Sequence, residues 1–217
     1  MSDLFQTLLK EFLKTAYVLT TKNGSFSTKE FSVILNRTEE EGESLLSVLI
    51  GMKLIRKVSD PLNHYSITQG GKNNLKVVLT GGVFDIIHLG HVNTLKTSKI
   101  EADILVVVVA SDEMVESSKG RPPLNNQTNR MRLLEELMIV DIVAKGDPDS
   151  SKFLDSVIEY EPDTIVLGYD QTSTEELLMK YLEDSNIRSI EIKKLDSHIP
   201  NEKSSLKKEK LDEHSFD

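Results

Sequence analysis

The chain contains no cysteine, so disulfide bonds, thiolate zinc sites and cysteine nucleophiles are excluded. Any metal ion must be held by carboxylates, by the five histidines or by a bound phosphate. Long apolar runs are also missing, since the longest uncharged one, Ile104 to Ala110, has only seven residues and cannot span a membrane. Residues 1 to 20 lack a signal-peptide pattern, and we therefore expect a cytoplasmic protein with no membrane partner.

Positive charge is scarce relative to negative charge. The 217 residues include 26 Lys and Arg against 35 Asp and Glu, which gives a formal net charge of -9. This balance argues against a general nucleic-acid binder. The length and the 38% hydrophobic content suit a globular protein with one large domain or two smaller ones.

A polar, glycine-bearing stretch at residues 70–74 marks a change in composition and predicts an interdomain linker. We expect a first domain over residues 1–70, a linker over 71–74 and a second domain over 75–217. The tail after residue 196 is rich in Lys, Glu and Ser, and is expected to be either a final helix or partly disordered.

The first domain resembles a winged helix-turn-helix. Apolar spacing predicts a helix over residues 3–20, Thr28 is expected to cap a second helix, and Thr38 with Glu41 predicts a capping box for a third. Two short strands, Leu54 to Lys57 and His64 to Thr68, complete the pattern. The third helix begins with glutamates, which disfavours DNA binding and favours a packing or dimerisation module, with a homodimer as one expectation.

The second domain alternates short apolar strands with helices, which predicts an open Rossmann-like α/β fold. Its strands are β-branched and apolar, as in a parallel sheet buried on both faces. The predicted strands are Val77 to Thr80, Ile104 to Ala110, Ile142 to Ala144, Thr164 to Leu167 and Ser189 to Ile192. The predicted helices are His91 to Ser98, Gln127 to Ile139, Ser151 to Tyr160 and Thr174 to Asp184.

Residues 80–91, TGGVFDIIHLGH, follow the first of these strands and lead into a helix. Gly81 and Gly82 are expected to let the backbone turn sharply at the strand end and to expose N–H groups to an anion. The amides that open the helix add donors, so phosphate is the expected ligand. His88 and His91 are three residues apart and are expected on one side of the helix start, with Gly90 leaving room for a nucleotide between them.

This segment resembles the signature of the nucleotidyltransferase superfamily with a His-x-Gly-His motif, in its cytidylyltransferase-like branch. The pattern Gly-x-Phe-Asp-x-x-His-x-Gly-His matches from Gly82 to His91. The resemblance implies that Lys119 and Arg130 bind the triphosphate and act with the two histidines in catalysis. It also implies nucleotide contacts from Gly82, Val83, Phe84, His88, Leu89, Gly90, His91 and Asp170, whereas Asp85 would orient either the motif backbone or the acceptor.

The segment Gly168 to Gln171 resembles the archaeal FAD synthases of this branch, whereas the C-terminal hydroxyl-rich motif is matched only by Ser204 and Ser205. The resemblance implies transfer of AMP from ATP to FMN, with Mg²⁺ or another divalent ion bridging the phosphates. One alternative is a CTP-dependent cytidylyltransferase for glycerol 3-phosphate or a similar polyol phosphate. A second alternative is a nucleotide-responsive DNA-binding regulator.

Overall fold

A computed structural model describes residues 3–59, 62–149, 153–168, 171–184 and 190–195. The chain forms two compact units, residues 1–76 and 77–217. In the described parts of both units, no helix is long and apolar enough to cross a membrane.

The N-terminal unit combines helices with a small antiparallel sheet, whose strand order is β1-β3-β2. This order of elements is the one expected of a winged helix-turn-helix, and membership of that class stays a prediction. The elements are α1 (Asp3–Asn23), β1 (Phe26–Ser27), α2 (Thr28–Ile34), α3 (Glu39–Gly51), β2 (Ile55–Val58), β3 (His64–Ile67) and α4 (Gln69–Lys72).

Capping boxes fix the starts of α2 and α3. Thr38 caps α3 together with Glu41, as the sequence predicted. Hydrogen bonds from the Thr38 backbone and side chain hold the pKa of Glu41 below its ordinary value. The cap of α2 differs from the prediction: it is Ser27, whose hydroxyl accepts a hydrogen bond from the Glu30 amide, while Thr28 is the first helical residue.

The stretch predicted as a linker has regular structure in its first half. Residues 69–72 form α4, which is capped by the Thr68 hydroxyl. Gly71 is buried, and a Cβ atom at this position would lie 2.2 Å from the carbonyl oxygen of Leu54. The helix therefore packs closely on the chain that precedes β2, and the unit boundary falls after Lys76.

The C-terminal unit is an α/β fold in which helices flank a five-stranded sheet, so the predicted Rossmann-like class is confirmed. The helix over residues 112–119 is not among the predicted helices. The elements are β4 (Val77–Gly82), α5 (Leu89–Ile100), β5 (Ile104–Val109), α6 (Asp112–Lys119), α7 (Gln127–Glu135), β6 (Ile142–Lys145), α8 (Phe153–Tyr160), β7 (Thr164–Leu167), α9 (Thr172–Asp184) and β8 (Glu191–Lys194).

The strand order is β6-β5-β4-β7-β8, and every neighbouring pair is parallel. The chain therefore builds the sheet outward from β4 in one direction and then crosses to its other side with β7. Ligands of open α/β sheets bind outside the carboxyl ends of the strands at such a switch point. The loop that follows β4 lies at this position.

The two central strands are held at their amino ends by aspartates. The Asp163 carboxylate accepts a hydrogen bond of 2.9 Å from the Val77 amide at the start of β4. Asp141 accepts one of 2.7 Å from the Leu105 amide in β5, and it also pairs with Lys99. Because these amides have no strand partner at the edge, the aspartates satisfy donors that burial would otherwise leave unpaired.

Gly71→Ala should destabilise the N-terminal unit by about 1–3 kcal/mol, since the new methyl group would overlap a backbone carbonyl that cannot rotate away. Gly70→Ala is the matched control, because its Cβ would meet its nearest neighbour at 3.5 Å, which is ordinary contact. Urea unfolding followed by circular dichroism measures the free energy of unfolding of both variants. Equal stability of the two variants would show that this segment is not packed as described.

Candidate active site

The glycines that follow the apolar part of β4 do not form the turn expected from the sequence. β4 continues through both of them, and Gly81 and Gly82 pair in register with Val108 and Val109 of β5. Neither glycine has a positive φ. The loop of residues 83–88 therefore begins directly after Gly82, the last residue of β4.

The left-handed turn is made by Phe84, which has a φ of 53° and is 2% exposed. A buried aromatic residue in this conformation is a genuine outlier that its surroundings must hold in place. A Cβ atom on Gly82 would lie 2.9 Å from the Phe84 ring. Glycine is thus required at position 82 for space, whereas the dihedral strain is carried by Phe84.

His88 caps α5. Its Nδ1 atom accepts a hydrogen bond of 3.1 Å from the Gly90 amide, and its backbone is extended, with φ -144° and ψ 173°. An Nδ1 atom that accepts cannot carry a proton, so the neutral ring has its proton on Nε2. His88 therefore presents an Nε2–H donor, and the Gly90 amide expected to face a phosphate is bound to His88 instead.

The structure brings the two histidines of the motif together. The rings of His88 and His91 stack with their centroids 3.9 Å apart and an interplanar angle of 29°. The His91 ring centroid also lies 5.0 Å from that of Phe84. His91 is therefore in ring contact with both His88 and the left-handed Phe84.

Arg130 is the largest fully buried side chain of the described residues, with 1% of its surface exposed. Its guanidinium donates to the carbonyl oxygens of Val83, Ala110 and Asn125, and it pairs with Asp112 at 2.7 Å. The sequence predicted a phosphate contact for this arginine. The structure instead directs its donors at protein oxygens that join β4, β5 and the loop before α7, so a direct contact with a nucleotide stays a prediction.

Asp85 binds the backbone of a second loop. Its carboxylate accepts hydrogen bonds from the amides of Leu124 and Asn125 at 2.9 and 2.8 Å. The Asn125 side-chain amide in turn donates to the Asp85 carbonyl oxygen at 2.9 Å. These contacts support the first of the two roles considered for Asp85, orientation of the motif backbone.

Two glutamines join further strand ends at this edge of the sheet. Gln127 is buried and donates to the carbonyl oxygens of Val109 and Gly146, both at 2.8 Å. Gln171 accepts from the Gly168 amide at 2.6 Å and donates to the Gly81 carbonyl oxygen at 3.4 Å. Together with Arg130 they link the carboxyl ends of β4, β5, β6 and β7.

Two of the remaining predicted residues are exposed, and three lie outside the described part of the chain. Lys119 is the last residue of α6 and is exposed, ahead of Gly120 in a left-handed conformation with φ 68°. Leu89 is 62% exposed in the first turn of α5. Asp170, Ser204 and Ser205 lie outside the described residues, so their predicted contacts stay predictions.

Sequence reasoning missed four of the side chains that shape this edge: Asp112, Asn125, Gln127 and Gln171. A run of amide side chains at residues 125–127, directly before a helix, was the available signal, since such residues favour caps and turns. Their partners include Arg130 and backbone groups that lie far from them in the sequence. Such pairings depend on tertiary structure and leave no spacing pattern in the sequence.

The chain belongs to the cytidylyltransferase-like family, whose model matches residues 79–207. The matched range includes the β4 loop, both motif histidines, α6 and α7. The fold and the motif thus define a nucleotidyltransferase.

Within that family, the chain is similar to several FAD synthases. The chain is 43% identical over 118 residues to the FAD synthase of Thermococcus sibiricus, covering 54% of this chain and 78% of that one. It is 46% identical over 102 residues to the FAD synthase of Pyrococcus horikoshii, covering 47% and 68%.

A crystal structure from Thermoplasma volcanium, described as a lipopolysaccharide core biosynthesis protein, is 37% identical with a TM-score of 0.52. The match covers 58% of this chain and 99% of that one. The shared part is therefore a whole protein in that case, whereas this chain is longer.

His88→Ala should lower the stability of the C-terminal unit by about 1 kcal/mol, because it removes the N-cap of α5. His88→Asn should lower it by less, since the asparagine oxygen can accept the Gly90 amide at the same place. Thermal unfolding monitored by circular dichroism distinguishes the two. An asparagine variant no more stable than the alanine variant would contradict the capping role of His88.

Proposed function

We propose that the protein is an FMN adenylyltransferase, an FAD synthase that joins the AMP part of ATP to FMN and releases pyrophosphate. The observation that carries this proposal is the stacked His88 and His91 pair at the start of α5, outside the carboxyl end of β4. Relatives named FAD synthase, at 43% and 46% identity, supply the substrate class.

The histidine pair is suited to the phosphates of ATP. The Nε2–H of His88 is fixed as a donor by the bond that its Nδ1 accepts from Gly90. The His91 ring contacts both the His88 ring and the buried Phe84 ring. We assign both rings to oxygens of the α- and β-phosphates, where preorganised donors stabilise charge that develops in the transition state.

The reaction needs positioning more than proton transfer. A phosphate oxygen of FMN attacks the α-phosphorus of ATP, a new phosphorus–oxygen bond forms, and the bond to the bridging oxygen of the β-phosphate breaks. The electron pair leaves with pyrophosphate. Because the attacking phosphate is already ionised at neutral pH, no strong general base is required, and catalysis is positional and electrostatic.

Lys119 is proposed to stabilise the departing pyrophosphate. It is the last residue of α6, the helix that follows β5, and it is exposed. A cation that complements charge gained during the reaction favours the transition state over the ground state. We propose further nucleotide contacts from the residues that the family resemblance implies, namely Gly82, Val83, Phe84, Leu89, Gly90 and Asp170.

The divalent ion is proposed to arrive with the nucleotide. Of the residues that the structure describes, no three His, Asp or Glu side chains group together in a way suited to hold a metal ion. The Asp85 and Asp112 carboxylates nearest the motif loop are bound to backbone amides and to Arg130. Since Mg²⁺ is usually held through substrate phosphates and water, MgATP is the proposed form of the substrate.

The rival cytidylyltransferase reaction would use the same phosphate contacts. The two reactions therefore differ only in the nucleotide base and in the acceptor molecule.

The DNA-binding alternative is disfavoured by the N-terminal unit, where the first turn of α3 exposes Glu39, Glu40 and Glu41. A DNA phosphate would meet like charge there. The homodimer and the cytoplasmic location stay predictions.

Incubation of the protein with each acceptor, FMN or glycerol 3-phosphate, and each nucleotide, ATP or CTP, tests the proposal. We expect FAD and pyrophosphate from FMN with ATP, identified by chromatography. His88→Asn is the matched control, because it should keep the helix cap yet lose the Nε2 donor, with turnover lowered by about 10²–10³-fold. A CDP-polyol product, or full turnover by the variant, would contradict the substrate or the site.

A further inference from the structure

The left-handed Phe84 turn places a buried aromatic ring against His91. Phe84 has a φ of 53° and is buried, and its ring centroid is 5.0 Å from that of His91. A non-glycine residue leaves this conformation unless its neighbours prevent it. Whatever holds the backbone on both sides of Phe84 therefore also holds His91.

A closed set of hydrogen bonds holds those two sides. Before Phe84, the Val83 carbonyl oxygen accepts from Arg130 Nη1. After it, Asp85 exchanges three hydrogen bonds with the segment of Leu124 and Asn125. The two sides are joined through Asn125, whose carbonyl oxygen accepts from Arg130 Nε at 2.9 Å.

We propose that Asn125 and Asp85 are positioning residues that keep Phe84 in its left-handed conformation and thereby hold His91 in place for the phosphates of the nucleotide. They act through Phe84 and touch neither substrate. The kinetic part of this inference rests on the proposed function, whereas the structural part concerns the free protein and does not depend on it.

Asn125 is the better residue to change. Asn125 is an exposed residue, so Asn125→Ala removes the donor to the Asp85 carbonyl oxygen without opening a cavity in the core. Both carboxylate oxygens of Asp85 are hydrogen-bond acceptors, since each accepts from a backbone N–H. Asp85→Asn has the same shape but must turn an amide N–H₂ toward one of those N–H groups, so it should have the larger effect.

Asn126→Ala is the matched control. Asn126 is the adjacent residue and has the same side chain, but its oxygen caps α7 by accepting from the Asn129 amide at 2.9 Å. Its substitution should lower the melting temperature without moving Phe84. A general loss of stability is thereby separated from a loss of positioning.

The full-length variants are compared in two measurements. In NMR spectra of histidine-labelled protein without substrate, Asn125→Ala and Asp85→Asn should shift the ring resonances of His91, which lie within the ring-current field of Phe84. The resonances of His64, in the other unit, should stay unchanged, as should those of His91 in Asn126→Ala.

In steady-state assays with FMN and ATP, Asn125→Ala should lower kcat by about tenfold or more while the KM for ATP changes by less than about threefold, as expected when geometry at the reacting centre is lost. Asn126→Ala should keep a normal kcat. Unchanged His91 resonances with an unchanged kcat in Asn125→Ala would overturn the inference, and so would a raised KM at constant kcat. If the wild type makes no FAD, the proposed function fails while the NMR result still decides the positioning role.

Discussion

The candidate site depends on one buried cation. Arg130 lies beneath the motif loop and joins the end of β4, the end of β5 and the loop before α7 through Val83, Ala110 and Asn125. Its charge is balanced by Asp112. A planar guanidinium can reach several acceptors in fixed directions, which a lysine ammonium cannot do. A fully buried guanidinium that loses its acceptors is costly, so these elements are coupled through Arg130.

The parallel sheet explains why such a residue is needed. Its strands all end at the same edge, where carbonyl groups face outward and lack strand partners. Arg130, Gln127 and Gln171 supply donors there, whereas Asp163 and Asp141 supply acceptors for the amides at the opposite edge. The β4 loop begins at this same edge, which is where open α/β sheets bind their ligands.

Much of this architecture follows from local patterns. Apolar β-branched runs predicted the strands, and Thr164–Leu167 has the bounds expected. Helix α6 was missed because its sequence is mostly charged and polar and shows little apolar periodicity. Only Val115 of this helix is buried. The turn after β4 was assigned to the glycines, since glycine is the usual residue at positive φ. The strain falls on Phe84 because tertiary hydrogen bonds on both sides hold it there.

The same limit applies to the site residues. The three-residue spacing predicted that His88 and His91 lie together, and the resemblance to the His-x-Gly-His motif predicted that they bind phosphate. The roles of Arg130 and Asn125 rest on contacts across 47 and 40 residues of chain, to Val83 and Asp85. No local pattern encodes such distances.

In the proposed function, His88 and His91 together bind the phosphate oxygens of the nucleotide. NMR titration of ¹⁵N-histidine-labelled protein with an ATP analogue carrying a methylene group between the α- and β-phosphorus atoms tests it directly. The account predicts that the ring nitrogen resonances of His88 and His91 shift together and saturate, while those of His64 stay fixed. Saturable binding of the analogue, measured by calorimetry, with both motif histidines unshifted would contradict it.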